Sequence, residues 1–442
     1  LRRRSGLEPI DYPNDAVKKV LERTCGVPIF QEQVMQLAVV AAGFTPGEAD
    51  RLRRAMAAWK RKGGLEPFRK KLMDGMRGNG LSAEFAERIY RQILGFGEYG
   101  FPESHSVSFA LLAYVSAWLK CHEPAAFLAA LLNSQPMGFY TPSQLVQDAR
   151  RHGVEVRPVD ACSSEWDCIL ETTPAAALPP LLDEEGKSPS PPCKGGVPVA
   201  QAEGGVVQPV VRFGFRLVQG LSQAGAERIV AARRDRSFDS VEDLARRAGL
   251  NRHDLKCLAA AGAFEALSGH RRHAYWQVAG IETGAHILRD APVAEAPAIL
   301  SPPTEAENLV ADYASTGLTL GRHPLALLRE RLARLRFASA EEIARLPGGS
   351  RARAAGIVTG RQRPGTASGT VFVTLEDETG YVNVIVWPRL VERQRRELLG
   401  ARLMGVEGVL EREGEVMHLV ARRLADHSAL LGRLAAPSRD FR

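Results

Sequence analysis

The stretch from Gly95 to His122, GFGEYGFPESHSVSFALLAYVSAWLKCH, constrains this chain more than any other. Gly95, Gly97 and Gly100 interleave with Phe96, Tyr99 and Phe101, so a flexible backbone carries large flat side chains. Pro102, Glu103, Ser104 and His105 then make a polar turn, and an apolar helix follows from Val107 to Leu119. Glycines let a backbone approach a ligand closely. Ser104 and His105 place hydrogen-bonding groups at a helix N-terminus, where amides and macrodipole favour a phosphate. Read for structure alone, the same residues are a loop feeding a core helix with Ser104 as its N-cap. Both readings stand at this point. Lys120, His122 and Glu123 close the helix short of a membrane span, so the expectation is a buried helix and no membrane. No signal peptide pattern opens the chain, and a cytoplasmic location is expected.

Charge narrows the partners. Lys and Arg outnumber Asp and Glu by 58 to 51, a formal net charge of +7, which favours a polyanionic partner. The excess is local. Arg51, Arg53, Arg54, Lys60, Arg61, Lys62, Arg69, Lys70 and Lys71 face the single acid Glu66 within one stretch. Such a run also suits a solvated helix face. Trp59 and Phe68 among the cations supply the aromatic interleaving of a nucleic-acid or nucleotide-phosphate surface. Cys25, Cys121, Cys162, Cys168, Cys193 and Cys257 have no CxxC spacing. They read as reduced thiols of a cytosolic protein, not as disulfides or a zinc site.

A length of 442 residues allows about three domains, and the pattern is that of a multidomain α+β protein. Residues 1–153 read as all helical. Thr45-Pro46-Gly47-Glu48 and Thr141-Pro142-Ser143-Gln144 each combine a capping box with proline at the first helical position. In 154–290, short strands at Val154–Arg157, Trp166–Glu171 and Val210–Arg216 precede helices. Between them, residues 172–209 are rich in Pro, Gly, Ala and Ser, and a disordered insertion in a hairpin is expected. Gly220-Leu221-Ser222, running into Ala224–Ile229, resembles a helix-hairpin-helix whose turn amides hold a DNA backbone phosphate. Ser222 stands where a second glycine is usual. Leu255 to Phe264, with Gly262 as a cap, reads as the second half. A plain helical-bundle turn is the equal alternative.

Residues 291–345 read as an Ala/Pro-rich linker and helices. Within 346–425, strands at Ala352–Thr359, Thr370–Glu376 and Tyr381–Trp387 come first. A helix at Arg389–Leu399 follows, then strands at Leu403–Arg412 and Val416–Arg423. That is the order of a C-terminal OB-fold, a partly open β-barrel that often holds single strands. Residues 426–442 are a tail. Arg353, Arg361, Arg363, Trp387, Arg422 and Arg423 are the candidate contacts, and a barrel used only for protein contacts is the competing reading.

Phe30-Gln31-Glu32-Gln33-Val34-Met35 is similar to the Tyr-Gln-Glu-Gln-Val-Met segment of the bacterial C-family polymerases, the DNA polymerase III α subunits. Ala49-Asp50-Arg51-Leu52-Arg53-Arg54-Ala55-Met56 resembles their Ala-Asp-x-Leu-Arg-Arg-Ala-Met. The stretch at Tyr99 to His105 matches Tyr-Gly-Phe-x-x-Ser-His, and Leu119-Lys120 with Pro124 to Phe127 matches the helix beyond. The resemblance extends through the helix-hairpin-helix and OB regions and covers nearly the whole chain. Pro102-Glu103 in place of Asn-Lys, Asn133 to Tyr140, Ser438 to Phe441, and an end just after the barrel resemble the error-prone branch. That branch acts in damage-induced mutagenesis and translesion DNA synthesis.

The resemblance implies a DNA-directed DNA polymerase, a nucleotidyltransferase in which a primer 3′-hydroxyl attacks a deoxynucleoside triphosphate with Mg²⁺ held by aspartates. In this family those aspartates lie in a palm domain upstream of helical fingers. The helical half has no Asp-x-Asp pair, and a start at Leu1 without Met reads as internal. The fragment is therefore expected to be inactive alone, with neither catalytic nor metal residues of its own. The resemblance puts Arg53, Arg54, Ser104 and His105 toward the dNTP. Lys60 and Lys62 follow, because the family's Met-Gly-Lys-Lys becomes Met56-Ala57-Ala58-Trp59-Lys60. Gly220 and Ser222 join the barrel residues as DNA contacts. Implied partners are primer-template DNA, dNTPs and a sliding clamp reached through accessory mutagenesis proteins, since no Gln-x-x-hydrophobic-Phe peptide precedes the barrel. The alternative class is a non-catalytic DNA-binding or scaffold module. An anticodon-binding part of an RNA enzyme accounts for the barrel but leaves Gln31 to Met35 and Ser104-His105 without a role.

Overall fold

Helix starts in the first unit follow from their caps. Asn14 accepts the Val17 N–H at 2.8 Å to open α1 (Asp15–Leu21), and α2 (Gln31–Ala42) ends at Gly43, whose φ of 67° suits glycine. The expected capping box opens α3 (Pro46–Lys62): Glu48 accepts from Thr45 N–H at 2.9 Å and the Thr45 hydroxyl accepts from Glu48 N–H at 3.4 Å. Next come α4 (Glu66–Gly78), α5 (Ala83–Gly95) and α6 (Glu103–His122). Val17, Val34, Leu37, Leu52, Met56, Leu72, Met76, Ile89 and Ile93 form the core between α1 and α5.

The computed structural model describes residues 2–62, 66–95, 101–137, 140–172, 209–281, 298–365, 367–414, 416–434 and 439–441, with side chains at 57–62, 172 and 439–441 excepted. Most of the expected insertion, the start of the linker, the glycine loop at 96–100 and the Lys60 and Lys62 side chains lie outside the described residues. The chain divides into two units, Leu1–His122 and Glu123–Arg442.

Helix α6 departs from the expectation of burial. None of its side chains is buried, and Val107, Leu111 and Tyr114 are 64%, 64% and 70% exposed. The core between α1 and α5 is complete without it, and what holds α6 is its first turn.

The second unit begins with α7 (Pro124–Asn133) and α8 (Pro142–Arg151), which opens on the expected box between Thr141 and Gln144. The helical domain anticipated as 1–153 is thereby divided. Leu128, Leu132, Val146 and Ala149 share one core with Phe215, Ile229, Leu255 and Phe264, because α7 packs on the small sheet that follows. That sheet has β1 (Val156–Arg157), β2 (Ile169–Thr172) and β3 (Pro209–Arg212). β3 lies between the other two, parallel to β1 and antiparallel to β2. Then come α9 (Gln223–Asp235), α10 (Val241–Arg247), α11 (Arg252–Ala260), α12 (Glu265–Ser268) and α13 (Arg271–Gly280).

α14 (Glu305–Ser315), α15 (Arg329–Arg334) and α16 (Ala340–Ala344) lead to the barrel. It comprises β4 (Arg351–Gln362), β5 (Val371–Glu376), β6 (Tyr381–Val386), α17 (Pro388–Arg393), α18 (Arg395–Gly400), β7 (Leu403–Glu413) and β8 (Val416–Asp426). A short β9 (Arg439–Phe441) adds in parallel to β4. β4 is shared. Its first half pairs with β7 and its second with β5, with an irregularity between Val358 and Gly360, while β6 and β8 pair in parallel to close the ring. Bends of this kind let one long strand serve both sides of a barrel. The strand–strand–strand–helix–strand–strand order is the expected OB-fold.

Close backbone approach gives a test. A Cβ on Gly75 would lie 2.1 Å from the Ala42 carbonyl oxygen, where α4 crosses the end of α2, whereas one on Gly78 meets nothing within 4 Å. Gly75→Ala is expected to destabilise the first unit by roughly 2–3 kcal/mol through overpacking. Gly78→Ala should be neutral or stabilising by up to about 1 kcal/mol. Urea unfolding of both variants separates the two outcomes.

Candidate nucleic-acid interface

The first turn of α6 is positioned from α2. Glu32 accepts the Glu103 N–H at 2.9 Å, the Gln31 N–H donates to the Phe101 carbonyl at 3.1 Å, and Glu103 forms a bidentate pair with Arg23. Gln33 is fully buried. Its amide accepts from Ile29 and Phe30 N–H and donates to the Val20 carbonyl and the Thr24 hydroxyl, which locks the loop that delivers Glu32. The segment Gln31 to Gln33 is thus a device for placing α6, a role its sequence does not announce.

Ser104 is not the N-cap. It lies inside the first turn, exposed, because Glu32 already serves the leading amide. His105 is exposed between the rings of Phe101 at 5.7 Å and Phe109 at 4.4 Å. Arg53 and Arg54 both close on Asp50, at 2.9 and 2.5 Å, and hold its carboxyl below the usual carboxylate range. Among the described residues, no hydrogen bond or ion pair joins the arginine pair to Ser104 or His105.

The helix-hairpin-helix region contains two matching turns. Gly220-Leu221-Ser222 precedes α9, and Gly249-Leu250-Asn251 precedes α11. Both glycines have positive φ, 81° and 57°, and both Ser222 and Asn251 cap their helix through the side chain. This replaces the expected second half at Leu255–Phe264. Gly262 does end α11 with φ of 74°, but Leu255 and Leu258 are core residues of that helix. The repeated Gly-Leu-Ser/Asn was the available signal. At the first turn, the buried Asp254 accepts from the Ser222 N–H at 3.1 Å and from the Ser222 hydroxyl at 2.9 Å.

The barrel separates its candidates. Arg361 is a correction. It is buried, and its guanidinium donates to the carbonyls of Leu398 at 2.6 Å and Ala401 at 2.5 Å. Those are last-turn carbonyls of α18, which lack intrahelical donors. Arg353 pairs with Glu407 at 2.9 Å and stacks on Phe337 at 5.1 Å. Arg363, Trp387, Arg422 and Arg423 are exposed. Arg363 and Pro388 both reach Gly369, which brings Arg363 beside the start of α17. Trp387 and Arg422 each lie two residues beyond the paired Ile385 and Val420, where β6 ends and β8 runs on against β7. Arg422 is the extra residue where the β7–β8 register shifts, which lets two consecutive arginines face solvent. Arg361→Met should therefore lower unfolding stability by about 2 kcal/mol, leaving orphan carbonyls. Trp387→Ala and Arg423→Ala should stay within about 0.5 kcal/mol of the parent while weakening single-stranded DNA in an anisotropy titration.

Among the described residues, no group of three or more His, Cys, Asp or Glu could hold a metal ion, and no helix is long and apolar enough to cross a membrane. Family comparison matches residues 1–80 to the bacterial DNA polymerase III alpha subunit finger domain. Residues 153–274 match a helix-hairpin-helix motif, and residues 352–425 an OB-fold nucleic acid binding domain. The chain is 59% identical over 441 residues to the error-prone DNA polymerase of Methylococcus capsulatus, covering 100% of this chain and 41% of that protein. It is 58% identical over 441 residues to that of Alkalilimnicola ehrlichii, covering 100% and 40%. With the Azoarcus sp. error-prone DNA polymerase the identity is 60% over 425 residues, covering 96% and 38%. The chain thus spans about 40% of the length of the curated relatives it matches. Its finger, helix-hairpin-helix and OB-fold parts follow one another as the sequence pattern leads one to expect, and the chain corresponds along its length to a region of the error-prone DNA polymerases of the DNA polymerase III α type.

Proposed function

We propose that this chain is the nucleotide-facing and DNA-holding part of a polymerase that copies damaged templates. The carrying observation is the 59% identity to an error-prone DNA polymerase along the whole chain. In the reaction, the primer 3′-oxygen attacks the α-phosphorus of a dNTP, the bond to the β-phosphate bridging oxygen breaks, and pyrophosphate leaves. Mg²⁺, when bound by the part of the polymerase beyond this chain, neutralises charge on the phosphates. Arg53 and Arg54 would exchange Asp50 for triphosphate oxygens, a charge-assisted contact. Ser104 and His105, exposed on the first turn of α6, would donate to the same phosphates through their side chains, the leading amide being held by Glu32. Lys60 is a further cation of α3. Downstream, the helix-hairpin-helix region would hold duplex backbone, and Arg363, Trp387, Arg422 and Arg423 the single-stranded template. A cytoplasmic location, and clamp recruitment through accessory proteins, accompany this reading.

The test is primer extension on lesion-bearing template by the intact polymerase. Arg53→Ala and His105→Ala are each expected to raise the KM for dNTP about tenfold or more, the worth of one contact to a charged group. An unchanged KM with an unchanged rate for both variants overturns the assignment.

A further inference from the structure

We infer that of the two hairpins only the second, Gly249-Leu250-Asn251 with Arg252 and Lys256, grips a DNA backbone phosphate, and that the first is filled by the protein's own carboxylate. This rests on the reading that the helix-hairpin-helix region binds DNA. The two halves repeat, with Gly220, Ser222, Gly225 and Arg228 answering to Gly249, Asn251, Asp254 and Cys257. They also dock reciprocally. His253 of the second half meets the Gly220 carbonyl at 3.1 Å, while Arg228 of the first half donates to the Ala248 carbonyl at 2.8 Å and the Gly249 carbonyl at 3.4 Å.

The symmetry breaks at one pair of positions. Asp254 reaches across to the first turn and accepts both the Ser222 N–H and the Ser222 hydroxyl, so an anion already occupies the amide a phosphate would use. Its counterpart is Gly225, which has no side chain. Asp254 accepts from the Asn251 side-chain amide at 3.1 Å, but no carboxylate among the described residues reaches the Asn251 backbone N–H. Gly225 is also required for this arrangement, since a Cβ there would lie 2.7 Å from the Asp254 carboxylate. Charge follows the same division. Gln223 and Glu227 are exposed beside the filled turn, whereas Arg252 and Lys256 occupy the equivalent exposed positions beside the open one. Arg228 adds its cation to the open turn. A phosphate at the first turn would meet an amide already bonded to a buried carboxylate; at the second it meets a free backbone amide and three cations, with Asp254 turned to the Asn251 side chain.

The experiment is a matched pair in the 442-residue chain, with binding to a labelled primer-template duplex followed by anisotropy from low to moderate salt. Arg252→Gln and Gln223→Glu each lower the net charge by one unit at equivalent exposed positions, the first by removing a cation and the second by adding an anion. Arg252→Gln should weaken binding severalfold and reduce the salt slope by about 1, as for one lost phosphate contact. Gln223→Glu should leave the slope unchanged. Lys256→Gln provides a second reading at the open turn, and thermal melting checks that all variants fold. A slope lost with Gln223→Glu and kept with both Arg252→Gln and Lys256→Gln overturns the assignment while leaving DNA binding intact. A parent chain that binds no duplex overturns the DNA-binding reading as well.

Discussion

Backbone N–H groups at the start of a helix or inside a tight turn have no partner within the element, and leaving them unmet on burial is costly. In this chain, carboxylates from distant positions meet them. Glu32 of α2 serves the first amide of α6, Asp254 of α11 serves the turn before α9, and Asp377 of the β5–β6 loop accepts the Ala340 N–H at 2.7 Å to seat α16 on the barrel. Each contact joins elements far apart in the chain. Each also spends an anion-binding position, because a site filled by Asp or Glu repels phosphate.

The same reasoning applies to cations with the sign reversed. Arginines satisfy the carbonyl ends of elements. Arg361 closes the last turn of α18, and Arg228 covers the second hairpin's carbonyls. A basic composition thus divides into arginines that build the fold and arginines left for a ligand. In the barrel the exposed arginines are Arg422 and Arg423 at the β7–β8 register shift and Arg363 in the loop after β4. The apolar α6 extends this economy to hydrophobic surface: its first turn is fixed by polar contacts, and its flanks stay exposed in this chain.

Much of this was legible beforehand. The capping boxes at Thr45 and Thr141, the five barrel strands and the finger motifs are local patterns, and local patterns survive without tertiary knowledge. The second hairpin is hard to place from sequence because Gly262 carries a strong end-of-helix signal, while the repeat at Gly249 is a quieter one. The buried helix was expected because an apolar run normally finds a core. In this chain the core between α1 and α5 is already full.

What the sequence by itself determined is the identity and order of the elements and the family to which they belong, since periodicity, caps and motif spacing are carried by neighbouring residues. Which charges remain free was decided by tertiary structure alone. Arg361 and Arg363 stand two residues apart, yet one is sealed against the carbonyls of α18 and the other is exposed by the loop. Ser222 and Asn251 cap equivalent turns, yet Asp254 accepts the backbone N–H of Ser222 and, at Asn251, only the side-chain amide. In both cases the deciding partner lies some 30 or more residues away in the chain, where no local pattern reaches.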